Sequence, residues 1–348
     1  MASTQSYPLL CLENPLLDIS GKGDDAMIQQ YGMKLDDTVL AEPHQLGLYD
    51  DLINNRDAKT VAGGGAQNTA RGAQYMLPPN STLYIGCVGN DEYANTLREA
   101  CKKEGVHVEY RVDEKAPTGR CGVIITGHHR TMCTDLAAAN EYKVDHLKQP
   151  HIWKMVEASK VYYVGGYHLT VCVPAAMALA EHAAATNKPF LLGLSAGFIP
   201  QFFKDQLAQV LPYTDYVFGN ENEAKTWAET NSVSADSIPE IAKKLANTDK
   251  VNQKRQRTVI ITQGTEPTLI AVQGQDKVQE YPVLAIDDSK IVDTLGAGDA
   301  FAAGFLAGIV SDDSIEDCVK KGQWLAKLNI QEFGPAYPYP KKTYGQDE

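Results

Sequence analysis

Asp293-Thr294-Leu295-Gly296-Ala297-Gly298-Asp299-Ala300-Phe301 is the stretch whose reading decides the fold. Residues 281–286 before it read as a β-strand and Asp287-Asp288-Ser289 as a polar turn, while the small apolar residues of 300–310 read as a buried helix. A strand, a glycine turn and a helix in that order leave backbone N–H groups open at the helix mouth, where the helix dipole draws anions. Asp299 at such a mouth has two readings. It is an ordinary N-cap, or it takes the proton of an alcohol while Gly296, Ala297 and Gly298 cradle the phosphoryl group that the alcohol attacks.

Outward from this stretch, strand and helix alternate through the second half of the chain. Strands are expected at 161–164, 190–194, 216–218 and 259–262, with helices at 174–185, 200–210, 221–229 and 322–330. Such alternation builds right-handed β-α-β units on a largely parallel sheet. The first half reads as strand 9–12, a break at Glu13-Asn14-Pro15, strand again at 16–19, a β-like piece at 38–40 and a helix over 44–53. Strand 83–88, helix 95–104, strand 106–111 and strand 117–126 follow, and Gly127-His128-His129-Arg130 reads as a polar turn leading to Leu136-Ala137-Ala138-Ala139-Asn140. Neighbouring His128 and His129 point to opposite faces of an extended segment and have no third ligand nearby, so both are expected in solvent rather than on a metal.

Several polar residues sit where strands end, which is where an open α/β sheet gathers its ligands. Asn14 and Asp18 flank the first break; an ionised Asp offers only acceptors and suits a vicinal diol, though both residues also fit a plain turn. Ala62-Gly63-Gly64-Gly65-Ala66-Gln67-Asn68-Thr69-Ala70 again sets bare backbone before a small-residue helix over 70–76, with Asn68 either facing hydroxyls or capping that helix. Arg130 either neutralises a transferring phosphoryl group or lies exposed in a loop. Asn220 and Glu223 have capping-box spacing, and through bound waters the same pair suits a magnesium nucleotide. Thr262-Gln263-Gly264 is either a strand-end turn or a wall for a nucleotide.

Length and composition narrow the classes. A chain of 348 residues with 43% hydrophobic content buries a large core. No apolar run approaches the roughly 18 residues needed to span a bilayer and the start lacks a signal-peptide pattern, so an unexported, cytoplasmic protein is expected, with nuclear presence allowed. Seven scattered cysteines suggest buried thiols rather than disulfides or zinc. A net charge of −12 argues against nucleic acid or an anionic membrane as partner. The basic cluster Lys254-Arg255-Gln256-Arg257 reads as a solvated turn. Neither glycine cluster continues into G-x-G-x-x-G, which speaks against a dinucleotide-dependent dehydrogenase.

Taken together, these blocks resemble the ribokinase-like (PfkB) carbohydrate kinases, and within them the subgroup that phosphorylates adenosine. The nine residues from Asp293 match the family's terminal motif and Asn220 to Glu223 its Asn-x-x-Glu. Asn14-Pro15-Leu16-Leu17-Asp18-Ile19-Ser20, Gly63 to Asn68, Leu136 to Asn140, and Arg255 through Gly264 match the subgroup. The resemblance implies an α/β, three-layer fold with a mostly parallel central sheet (1–15, 63–116 and 140–348) and a discontinuous β-rich lid (16–62 and 117–139). It implies transfer of the γ-phosphoryl of Mg-ATP to the adenosine 5′-hydroxyl by a monomer, with Asp299 as general base, Gly296 to Gly298 as anion hole and Arg130 over the phosphates. Asn14, Asp18, Gly64 and Asn68 would bind the ribose, Leu16, Leu40, Cys121, Leu136, Tyr167 and Phe198 would wall the base, and Gly63, Gly65 and Ala138 would lie alongside. Asn220, Glu223, Gln263, Gly264, Asp293, Thr294, Gly296 and Gly298 would line ATP, with Asn220 and Glu223 reaching Mg²⁺ through water. Glu13 stands where the family has a small residue, and His168 where the subgroup tends to have an apolar or aromatic one. A kinase of another nucleoside or of a sugar, or a non-catalytic nucleoside-binding protein, are the alternatives.

Overall fold

Leu9–Leu12 is apolar throughout and buried on both faces, as a central strand of a parallel sheet must be. In the computed structural model, which describes residues 6–127 and 129–346, this strand is β1. The other strands among those residues are β2 (Leu16–Lys22), β3 (Thr38–Leu40), β4 (Lys59–Gly63), β5 (Thr82–Gly89), β6 (His107–Asp113), β7 (Arg120–Thr126), β8 (His129–Asp135), β9 (Val161–Val164), β10 (Phe190–Gly193), β11 (Tyr216–Asn220), β12 (Thr258–Gln263), β13 (Glu266–Val272) and β14 (Gln279–Tyr281). They form a nine-stranded sheet ordered β14-β13-β12-β11-β10-β9-β1-β5-β6 and a five-stranded sheet ordered β3-β8-β7-β2-β4. The large sheet is parallel from β12 to β6; only the β13 and β14 edge is antiparallel.

Strand order reverses at β1, which pairs with β5 on one side (Leu9 opposite Thr82) and with β9 on the other (Leu9 opposite Val161). That reversal opens a crevice at the strand carboxyl ends, and the residues following β1 and β9 line it. The chain leaves β1 through Glu13-Asn14-Pro15 and enters β2 directly, which ties the small sheet to this crevice. On β2 and β7, Leu17, Ile19 and Gly122 face the helices Asp25–Gln30 and Leu48–Asn55, whereas Leu16, Asp18 and Cys121 face the cleft. Below the cleft, the helix Ala297–Val310 is buried on nearly every side and packs against Ile315–Asn329 and Gly65–Met76.

Several expectations need correction. Residues 281–286 are strand only at Tyr281, because Pro282 has no N–H to continue a ladder. Past Gly127 (φ +60°) the chain does not remain a turn but pairs as β8, so Arg130 belongs to a strand. His129 is exposed and its Nδ1 lies 2.7 Å from Asp36; His128 lies outside the described residues. The helix expected from residue 70 begins at Gly65, and the 200–210 helix is two, Phe198–Phe202 and Lys204–Val210. Arg257 is not solvated at all. It is fully buried and donates to the carbonyls of Thr214, Leu211, Thr248 and Asp249, closing the ends of neighbouring segments. The seven cysteines are all buried and free. No helix among the described residues is long and apolar enough to cross a membrane.

Candidate active site

A cavity of about 430 Å³ opens between the carboxyl edge of the large sheet and the inner face of the small one. Two helix N-termini converge on it. Gly64 (φ +93°) starts the Gly65–Met76 helix, and a side chain there would strike the Asn14 carbonyl; Gly296 (φ +80°) starts Ala297–Val310 with Pro335 pressed against its Cα. Both turns therefore need glycine and present bare backbone to the cavity.

Asp299 is not an N-cap: Gly296 holds that position, and Asp299 lies in the first helical turn, facing the cavity. Its Oδ2 accepts a 3.0 Å bond from Asn68 Nδ2, and no ion pair is formed among the described residues. Burial raises its proton affinity and the Asn68 bond lowers it, leaving a pKa of about 7. Asp18, 6% exposed, is likewise raised to about 7 by burial and by Asp299, against a lowering by Arg71. Arg71 does not leave its own place: it grips Glu104 at 2.7 and 2.8 Å and the Ala62 carbonyl at 2.8 Å. Glu13, 1% exposed, accepts from the Ala66 N–H at 2.6 Å while its Oε1 has no partner. Burial drives it up to about 8 despite that bond, with Asp299 adding to the rise. This side of the cavity thus collects three acids that hold protons near neutrality, the arrangement expected where proton transfer is the task.

Opposite them, Asn220 and Glu223 form the full capping box, Glu223 N–H to Asn220 Oδ1 at 2.8 Å and Asn220 N–H to Glu223 Oε2 at 3.0 Å. Asn220 Nδ2 reaches the other Glu223 oxygen at 2.9 Å, and burial raises this acid to about 7. With both oxygens already engaged, and with no cluster of three or more acidic, His or Cys groups for a metal among the described residues, the pair fits a hydrated cation held mainly by a ligand's phosphates.

Asp293 anchors the loop between the two. Its Oδ1 accepts from the Leu295 N–H and from Arg130 Nε, each at 3.0 Å, and its Oδ2 accepts from the Gly334 N–H at 3.1 Å. Strand β8 of the small sheet, the anion-facing loop and the C-terminal tail are thereby joined through one carboxylate, 2% exposed.

Of the residues singled out in the sequence, Asn14, Leu16, Asp18, Leu40, Gly64, Gly65, Asn68, Cys121, Arg130, Leu136, Tyr167, Phe198, Asn220, Glu223, Thr294, Gly296, Ala297, Gly298 and Asp299 all line this cavity. Gly63, Ala138, Gln263, Gly264 and Asp293 do not. Gly63 lies behind the Asp18 carboxyl, Ala138 is fully buried with its N–H on the Pro117 carbonyl, and Gln263 and Gly264 turn outward in the β12–β13 hairpin. Glu13, noted as a departure from the family, also lines it, and unanticipated lining residues include Met132, Thr134, Ser195 and Leu295. Met132 and Thr134 alternate along β8 and were invisible while that strand was read as a turn; Ser195, at a strained φ of +67° just past β10, is signalled by the strand-end rule.

A sequence model described as pfkB family carbohydrate kinase matches residues 27–342. An adenosine kinase of Schizosaccharomyces pombe is 46% identical over 341 residues, covering 97% of this chain and 98% of the relative. Among solved structures, the Anopheles gambiae adenosine kinase in complex with P1,P4-di(adenosine-5) tetraphosphate superposes with a TM-score of 0.93 at 40% identity, over 95% of this chain and 98% of that one. The Schistosoma mansoni adenosine kinase in complex with 2-fluoroadenosine gives a TM-score of 0.92 at 31% identity, over 95% and 97% of the two chains. With the terminal glycine turn, the Asn-x-x-Glu cap and the two-sheet cleft all in place, the chain belongs to the PfkB family of carbohydrate kinases.

Proposed function

We propose that the protein transfers the γ-phosphoryl group of ATP, supplied as its magnesium complex, to the 5′-hydroxyl of adenosine, giving AMP and ADP and returning the nucleoside to the nucleotide pool. The observation that carries this reading is the placement of Asp299 beside the Gly296–Gly298 backbone and in the same cavity as Asn14, Asp18 and Asn68.

The ribose hydroxyls would be held by Asp18, Asn68, Asn14 and the Gly64 backbone, and the base would lie among Leu16, Leu40, Cys121, Leu136, Tyr167 and Phe198. Asp299 takes the 5′-hydroxyl proton as the new O–P bond forms and the bond to the ADP oxygen breaks. Backbone N–H groups of Gly296 to Gly298, with Arg130 at the cleft edge, stabilise charge on the moving group. Asn220 and Glu223 would hold water around the cation that accompanies ATP, and that cation would offset phosphate charge. Residues 16–62 and 117–139 act as a lid whose closure excludes water that would otherwise hydrolyse ATP.

A coupled assay of ADP release across adenosine, inosine, guanosine, ribose and fructose tests the reading. Adenosine is expected to be turned over with the highest kcat/KM; a preference for a free sugar, or no ADP release with any of the five, would overturn it.

A further inference from the structure

We infer that Glu13 is a positioning residue for this reaction: its buried carboxyl, across Gly65 from Asp299, stays protonated at neutral pH and so leaves Asp299 ionised to act as the base. The inference rests on the reading of Asp299 as that base.

Glu13 directly follows β1 and reaches into the crevice, where it lines the cavity. The point where a Cβ on Gly65 would sit is 3.0 Å from Glu13 Oε2 and 3.4 Å from Asp299 Oδ1, so only the missing side chain of residue 65 separates the acids. On its far side Glu13 Oε1 lies against the Cα of Gly165, where a side chain would displace it. The groups facing Glu13 are the Cys11 thiol on its own strand, the Tyr84 phenol of β5, Tyr163 of β9, Tyr167 beyond it, and Asp299. Those facing Asp299 are Asn68, Asp18, Glu223 and the Tyr337 phenol of the tail. Arg71, the cation that acts on Asp18, is committed to Glu104.

Two acids on either side of one glycine, without a counter-ion, oppose each other's ionisation, so one of them keeps its proton to higher pH. Glu13 is 1% exposed and one of its oxygens is unpartnered, although the other accepts the Ala66 N–H at 2.6 Å; Asp299 is partly exposed, so water as well as the Asn68 amide favours its charged form. The proton therefore resides on Glu13. The pKa of about 8 for Glu13 against about 7 for Asp299 agrees with that order. Once Glu13 ionises at higher pH, a second negative charge stands beside the path of an already anionic phosphoryl group, and transfer is opposed.

The test is the shape of the kcat/KM profile for adenosine between pH 5.5 and 9.5 for the intact enzyme, Glu13→Gln and Asp299→Asn. The unsubstituted enzyme should lose about tenfold between its neutral plateau and one pH unit above the Glu13 titration, and Glu13→Gln should lose that alkaline limb while keeping the acid one. An alkaline limb that persists in Glu13→Gln, or none in the unsubstituted enzyme, overturns the inference. Should the Gln variant fail to fold, carbon NMR of the unsubstituted enzyme decides: a glutamate carboxyl titrating near 8 is expected, and glutamates that all titrate in the ordinary range overturn it. Asp299→Asn separates the two readings. If it is active, the base assignment fails; if it is inactive and Glu13→Gln keeps the full profile, only the role of Glu13 fails.

Discussion

Asp299 and Asp215 are both aspartates drawn out of water, Asp215 fully and Asp299 in part, and their surroundings are opposites. Asp215 precedes β11 at the amino edge of the large sheet. It is held by Lys250 Nζ at 2.7 Å, Arg255 at 3.4 Å and the Phe190 N–H at 3.0 Å, with Lys250 itself fully enclosed. Asp299 stands at the carboxyl edge with one amide for company and three further acids as neighbours. At one edge every charge is answered and the result is rigidity; at the other the charges are left open and the cost is carried for chemistry. Net charge says nothing of this contrast, because it lies in where the few cations are spent.

The two sites should respond to the same substitution in opposite ways. Asp299→Asn is expected to lower turnover by roughly 10² to 10⁴, the usual loss of a general base, in steady-state assays at neutral pH. Its melting temperature should not fall. The acids of the cleft have folded pKa values above their unfolded ones, so between about pH 4 and 7 the folded state binds more protons and stability declines as pH rises. Removing one such acid should therefore raise stability at pH 7 by about 1 to 2 kcal/mol, read from urea unfolding. Asp215→Asn should do the reverse, costing about 3 to 5 kcal/mol in the same unfolding experiment by stranding Lys250, while pH optimum and nucleoside KM of the folded fraction hold. The kcat/KM profile should fall tenfold per unit below an apparent pKa of about 7. Asn68→Ala, which withdraws the donor favouring ionised Asp299, should move that acid limb upward. A downward movement would mean that Asn68 acts on the nucleoside alone.

Legibility in the sequence divides along similar lines. The parallel strands were plain because their burial on both faces makes continuous apolar runs, as in Leu9–Leu12 and Phe190–Gly193. Strand β8 was not, since His129–Asp135 interleaves Arg130, Met132 and Thr134 on a cleft face with partners no periodicity reveals. Arg257 misled for a related reason: three cations in four residues look solvated, yet its guanidinium is spent on backbone carbonyls from chain segments up to 46 residues away. Within the site, the glycine turns and Asp299 were legible from local pattern. The convergence of Glu13, Asn68 and Asp299 was not, because Asn68 and Asp299 lie 231 residues apart. Only the family resemblance brought the ribose contacts together in advance, and it gave no role to Glu13.

The Asp293 carboxylate takes one of its donors from Gly334, and Pro335 rests on the first glycine of the anion-facing turn. Residues 329–336 emerge from the ribosome after everything they support. A growing chain can thus complete both sheets and most of the cleft while its glycine turn is still unbraced, so that turn is the last part of the site to gain its support.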